Sequence, residues 1–199
     1  MTSDPIFNAF ATAEIVWAEI DRLVAALPSG FSPDLTLGAS TEENLGDDWA
    51  YSRTGYHFKI HKLVGRQRLP SQLLFVFDLA RPEIPSSWAH ARRAFLTCAY
   101  APKFDTGWEV DEVAIGMDGR PISEESRGCT RHADGRLLEW ENADKPWLNR
   151  TWFFTVPLMA IDGHDALRKE VVDPIKNLLL HNQSPDDVLS GGSAIRYQV

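Results

Sequence analysis

The sequence is short of several features that would assign it to a class. It has two cysteines in 199 residues, Cys98 and Cys129, which are too few for a disulfide framework. Its longest nearly unbroken apolar run, residues 152–161, is far shorter than the ~20 residues that span a bilayer. The first residues show no basic start followed by an apolar run, so we expect no signal peptide. These absences predict a cytoplasmic protein with no membrane contact.

Short motifs for catalysis and cofactor binding are also missing. The chain has no Gly-x-Ser-x-Gly, Gly-x-Gly-x-x-Gly, P-loop or His-Glu-x-x-His pattern. No lysine follows an acidic residue by two positions, so the Glu-x-Lys element of metal-dependent nucleases is absent. Cys129 and His132 supply only half of a metal site. We therefore predict no cofactor and no resident metal, and the sequence leaves open whether the chain is an enzyme.

The charge of the chain is negative overall but unevenly distributed. A net charge of −8 argues against a nucleic-acid binder, whose affinity rests on phosphate neutralisation. Residues 34–48 carry five acids and no Lys or Arg, whereas residues 53–68 carry five bases and no acid. The candidate ligand-binding residues of this basic segment are Arg53, Lys59, Arg66 and Arg68. They would suit a phosphate-bearing ligand or an acidic protein partner, unless they fold back onto the acidic loop before them.

Helical patterns are predicted at both ends of the chain. Asp4-Pro5 is a favourable helix start, and apolar residues recur at helical spacing from Phe7 to Leu27. We expect this helix to end at Pro28-Ser-Gly30 and residues 28–48 to form a long loop. A last helical pattern covers residues 164–180, with an interruption or a second helix start at Asp173-Pro174.

Between the helical patterns the period of the sequence is two, which predicts strands. We expect them near residues 56–60, 73–80, 95–100, 108–115, 127–132, 136–141 and 151–161. Residues 133–136 are the best hairpin turn, and Pro157 suggests an edge strand or a bulge. This order predicts an α+β domain over residues 1–181, with a largely antiparallel sheet of six or seven strands. An N-terminal and a C-terminal helix would pack on that sheet. Residues 182–199 read as a flexible arm that could add a terminal strand.

Asp78 is the most informative single residue, because it lies in the most apolar stretch of the chain, Gln72–Ala80. A carboxylate removed from water costs several kcal/mol unless it is paired or bound to a cation. Glu109 and Asp111 share one face of the predicted strand 108–115. If that strand lay near Asp78, the three carboxylates could hold a hard cation for hydrolysis. This hypothesis requires Asp78 to line an accessible cleft.

The function that the sequence favours is binding or regulation through contacts with a protein partner or a ligand. It rests on the missing catalytic motifs, the separated charges and seven Trp residues, a residue type enriched at binding hot spots. A metal-dependent hydrolase that uses Asp78, Glu109 and Asp111 is the first alternative. Binding of phosphate or nucleic acid through the basic segment is the second, and the net charge disfavours nucleic acid.

Overall fold

The computed structural model describes residues 4–44, 53–63, 71–80, 87–102, 129–140 and 145–197. The helices are α1 (Pro5–Phe31), α2 (His164–Leu167), α3 (Asp173–His181) and α4 (Pro185–Leu189). The strands are β1 (Leu35–Asn44), β2 (Arg53–Leu63), β3 (Gln72–Asp78), β4 (Phe95–Ala101), β5 (Thr130–His132), β6 (Leu137–Glu139) and β7 (Trp152–Pro157). Two 3₁₀ turns (Trp147–Asn149 and Leu158–Ala160) and a π-helical turn (Arg168–Val172) connect them. No helix within the described ranges has both the length and the apolar character needed to cross a membrane.

The described strands form one antiparallel sheet in the order β1-β2-β3-β4-β7-β6-β5. Every neighbouring pair is antiparallel, which confirms the predicted α+β class. In β3 and β4 every residue is buried. Because successive side chains of a strand point to opposite faces, the centre of this sheet carries a core on both sides.

The helices cover the first face of the sheet. Phe75, Cys98 and Phe154 lie side by side across β3, β4 and β7 in that core. The helical layer contributes buried side chains from α1, the π-helical turn and α3: Ile20, Val24, Leu27, Phe31, Val171, Val172, Ile175 and Leu178. The expected packing of both terminal helices on the sheet is therefore present.

The C-terminal segment helps to cover the second face. Residues 182–199 were expected to form a flexible arm, but their described part contains α4 and packs against the sheet. Ile195 N–H donates to the Thr155 carbonyl at 2.9 Å, beyond the point where β6 stops pairing with β7. The side chains of Ile195 and Tyr197 are each 3 % exposed. Through these contacts the segment occupies part of the edge of β7, although its described residues form no regular strand.

A chain of buried hydroxyl groups joins this segment to the sheet. The oxygens of Thr97 and Thr155 are 2.7 Å apart, and Thr155 Oγ1 is 2.6 Å from the Tyr197 hydroxyl. Burial raises the pKa of Tyr197 well above its ordinary value, so the phenol stays protonated. The three hydroxyl groups satisfy one another, which lets polar side chains lie in an apolar layer.

The prediction of a loop over residues 28–48 is wrong for its described part, and residues 45–48 lie outside the described residues. Helix α1 continues through Pro28 and ends at Phe31, and residues 35–44 form β1. A proline inside a helix costs about 3 kcal/mol. Leu27 and Phe31, both completely buried, offset it, since burying such a side chain gains about 1.5–3 kcal/mol.

The other predicted elements are largely confirmed. The turn 133–136 joins β5 to β6, with positive φ angles of 52°, 56° and 81° at Ala133, Asp134 and Gly135. Asp173-Pro174 starts α3 after the π-helical turn. Pro157 is neither on an edge strand nor at a bulge, because it ends β7, which lies between β4 and β6. The predicted strand 108–115 lies outside the described residues.

Ile195→Ala should lower the free energy of unfolding by about 2–4 kcal/mol, because it removes a buried side chain from the second core. Urea denaturation measures this difference. The neighbouring variant Arg196→Ala is the control. It removes only an exposed ion pair with Asp134 and should change stability by less than about 1 kcal/mol. Equal stability of the two variants would show that the C-terminal segment does not pack as described.

Candidate functional site

Asp78 faces Arg53 across two neighbouring strands. Asp78 on β3 lies directly opposite Arg53 on β2 in the register of the hairpin. The Arg53 Nε atom is 3.2 Å from Asp78 Oδ1, and the side chains are 11 % and 0 % exposed. The buried carboxylate is thus balanced by a cation from the adjacent strand, as its apolar surroundings require.

The hydrolase hypothesis gains no support from this arrangement. Asp78 is completely buried, whereas the hypothesis requires it to line an accessible cleft. Within the described ranges, no group of three His, Cys, Asp or Glu side chains is placed to hold a metal ion. Glu109 and Asp111 lie outside the described residues, so the cluster of three carboxylates stays a prediction.

The basic segment is described only in part. Arg53 and Lys59 lie on β2, six residues apart, which corresponds to roughly 20 Å along a strand. Lys59 is exposed, whereas Arg53 is mostly buried against Asp78. Arg66 and Arg68 lie outside the described residues. A joint ligand site made by these four residues therefore stays a prediction.

A second buried carboxylate fastens the outer hairpin of the sheet. Glu139 on β6 is 1 % exposed, and its Oε2 atom is 2.7 Å from His132 Nε2 and 3.3 Å from Arg150 Nη1. The Arg150 guanidinium also lies over the Trp147 ring, 4.2 Å from its centroid. These contacts tie β5 and β6 to the 3₁₀ turn that precedes β7. These contacts stabilise the position of the β5–β6 hairpin against the segment that precedes β7.

An open cleft of about 580 Å³ near the end of β7 is lined by basic residues. We call it the basic cleft and define it by His90, Arg93, Arg136 and Arg196, with Pro157 and Ile195 on its apolar side. None of its described lining residues is acidic. The three arginines come from the segment before β4, the hairpin turn before β6 and the C-terminal segment. The packing of the C-terminal segment onto the sheet is what brings them together.

The positive charge of the basic cleft acts on His90. Burial lowers the pKa of His90, and the neighbouring Arg93 guanidinium lowers it further. The ring is therefore neutral at pH 7. Its Nδ1 atom is buried and has no hydrogen-bond partner among the described residues.

A second cavity, of about 530 Å³, lies between α1 and the turn that follows β7. We call it the apolar groove and define it by Ile15, Val16, Leu23, Leu158, Ile161 and Leu167. Met159 lies on the wall between the groove and the basic cleft and is 88 % exposed. Cavities of this size and lining are typical of sites that bind apolar ligands or the apolar face of an amphipathic helix.

The five tryptophans that the structure describes do not form the exposed surface that their number suggested, and Trp49 and Trp108 lie outside the described residues. Trp88, Trp147 and Trp152 are buried, and Trp17 and Trp140 are half-buried. Among the described residues, the large apolar side chains that are exposed are instead Ile6, Phe7, Phe10, Ile15 and Met159. The exposed apolar surface of the described structure thus belongs to α1 and the turn after β7.

Comparison of the chain with known protein families, with curated proteins and with solved structures finds no match. The features of the described structure that point to a function are the two cavities and the exposed part of α1.

Sequence reasoning missed both cavities. Arg93, Arg136 and Arg196 are far apart in the chain, and no local pattern connects them. The sequence held one indication of the apolar groove, since Ile15 is an apolar residue outside the core side of the amphipathic helix. Val24 and Leu27, on the core side of the same helix, were recognised correctly.

Asp78→Asn should lower the free energy of unfolding by about 3 kcal/mol, because it removes the charge that faces Arg53 in a buried place. Asp173→Asn is the control. It breaks an exposed pair with Arg168 and should cost less than about 1 kcal/mol. Urea denaturation with and without Mg²⁺ and Mn²⁺ measures both. A metal-dependent stabilisation that is present in the wild type and absent in Asp78→Asn would contradict a structural role for this carboxylate.

Arg93→Gln should raise the pKa of His90, because it removes a positive charge beside the ring. NMR titration of the histidine ring protons measures the change. Arg92→Gln removes the same charge one residue away, outside the cleft lining, and should leave the pKa of His90 nearly unchanged. The same shift in both variants would show that Arg93 has no special position in the cleft.

Proposed function

We propose that this protein acts by binding another protein, and that α1 and the apolar groove form its docking surface. The observation that carries the proposal is an apolar stripe on α1 that continues beyond the core. Ile20, Val24 and Leu27 pack on the sheet, whereas Ile6 and Phe10, on the same side of the helix, are 68 % and 65 % exposed. A soluble helix rarely leaves such side chains uncovered without a binding role.

The apolar groove continues this surface on a second side of the helix. Ile15 lines the groove from α1 and is 65 % exposed, and Met159 stands at the opposite wall. Ile15 and Met159 thus add exposed apolar side chains to the groove, and exposed apolar surface of this kind marks interaction sites. Their arrangement suits an amphipathic helix that lays its apolar face into the groove.

The charge around this surface decides which kind of helix fits. Residues 1–21 contain four acids, Asp4, Glu14, Glu19 and Asp21, and no Lys or Arg. The first base, Arg22, is bonded to Glu19. Asp162 adds an acid on the other wall of the groove. A second copy of this chain would bring two acidic α1 helices together, so a partner with basic residues beside its apolar face fits better.

Two synthetic helical peptides with the same apolar face, one flanked by Lys and the other by Glu, test the proposal. The Lys peptide should bind, with an affinity that falls as salt increases, and the Glu peptide should bind at least about tenfold more weakly. Ile15→Gln and Phe10→Gln should each weaken binding of the Lys peptide several-fold, since they remove exposed apolar contacts. Fluorescence anisotropy measures the dissociation constants.

Ala18→Gln is the matched control, because Ala18 is exposed on the same helix but does not line the groove. It should leave the affinity unchanged. Equal binding of the two peptides, or equal losses in the three variants, would contradict the proposed surface. A dimer in light scattering that dissociates in Ile15→Gln would replace the partner protein by a second copy of this chain.

A further inference from the structure

The basic cleft holds more positive charge than its own contacts neutralise. Arg196 is bonded to the Asp134 carboxylate. Arg136 donates from Nη1 to the Ala133 carbonyl at 3.1 Å, a contact that orients the guanidinium without cancelling its charge. Within the described part of the chain, no carboxylate forms an ion pair with Arg136 or with Arg93. About two uncompensated cations therefore face one cavity in a protein whose net charge is −8.

The remaining lining adds polar and apolar positions to these cations. The His90 ring adds a polar group to this lining. Pro157, Ala160 and Ile195 form an apolar side. The volume of about 580 Å³ is within the range of pockets for small molecules. The cleft can thus take an anionic group beside the arginines and a carbon skeleton along the apolar side.

From this arrangement we infer that the basic cleft binds a small phosphorylated molecule. Guanidinium groups donate two parallel hydrogen bonds to a phosphate, and several of them can share its oxygens. A phosphate that enters the cleft would meet Arg93 and Arg136, with Arg196 beside them. A carboxylate offers fewer oxygens and a single charge, so it would use this set of donors less fully.

The inference does not depend on the docking surface proposed above, because Arg93, Arg136 and Arg196 do not line the apolar groove. It also differs from the basic segment of the sequence, since none of Arg53, Lys59, Arg66 and Arg68 belongs to the described lining of this cleft. The site is made by residues that no local motif connects.

Isothermal titration calorimetry with diphosphate as the probe, at about 0.15 M salt, tests the inference. The wild type should bind diphosphate with a saturable 1:1 isotherm, and inorganic phosphate more weakly. Arg93→Gln should weaken binding at least about tenfold, because it removes a charged donor from the site. The Arg93 side chain is exposed and forms no hydrogen bond or ion pair within the described residues. Its backbone N–H, which donates to the His90 carbonyl, is unchanged in the variant, so Arg93→Gln should keep the wild-type fold. Arg136→Gln should weaken binding to a similar extent.

Arg92→Gln and Ile15→Gln are the controls and should bind diphosphate within about twofold of the wild type. The first removes an equal charge outside the cleft, and the second alters the docking surface only. Equal weakening in Arg92→Gln and Arg93→Gln would overturn the inference, because general attraction would then explain the binding. Absence of saturable binding would overturn it, as would tighter binding of a glutamate-rich peptide than of diphosphate.

Discussion

Burial of the central strands on both faces is the constraint on which the rest of this structure depends. A sheet with one buried face needs one cover, but β3 and β4 expose no residue on either side. The helices supply the first cover, and Trp88 and the C-terminal segment contribute to the second. Because Ile195 and Tyr197 belong to that second core, the described residues after α4 pack against the sheet. The basic cleft exists because this segment crosses the end of β7.

The Glu170 carboxylate connects the helical layer to the C-terminal segment. Glu170 lies in the π-helical turn of the helical layer, and its Oε2 atom accepts a hydrogen bond from Ser193 N–H at 2.7 Å. Burial raises the pKa of Glu170, but the bonds from Ser193 and Lys169 outweigh it and hold the pKa below its ordinary value. The carboxylate is therefore charged at neutral pH, and the bond is lost only as the pH falls through that lowered pKa. Irregular helical turns often place a side chain where a regular helix would not.

The parts of the fold that sequence reasoning predicted are those with an unbroken period. β2, β3 and β4 keep a regular alternation or a continuous apolar run, and the turn between β5 and β6 contains Asp134 and Gly135, which tolerate positive φ. β1 was missed because Leu35 and Leu37, at its start, are its only buried apolar residues, whereas residues 39–42 are exposed. Two apolar positions are too few to show a period of two in the sequence. Pro28 led to a wrong prediction of the end of α1 for a different reason. The burial of Leu27 and Phe31 outweighs the local preference of proline against a helix.

The candidate sites were less predictable than the fold. Each of them depends on the register between two strands or on a contact between segments that are far apart in the sequence. Asp78 and Arg53 were both singled out, yet only the β2–β3 register makes them partners. The arginines of the basic cleft meet only after the C-terminal segment has packed on the sheet. Apolar spacing along α1 correctly identifies the side of the helix that faces the core. The spacing cannot tell at which residue the core ends. The exposure of Ile6 and Phe10 was therefore not predictable from it.

The net charge of −8 and a site for an anion are compatible, because the two act over different distances. A nucleic acid contacts many residues at once, so the charge of a whole surface governs its affinity. A small phosphorylated molecule contacts two or three residues within one Debye length, about 8 Å at physiological salt. Glu19 of α1 and Asp162 line the apolar groove, on the other side of the 158–160 turn from Arg93 and Arg136. The same chain can therefore favour a basic partner on one side of this turn and a phosphate on the other.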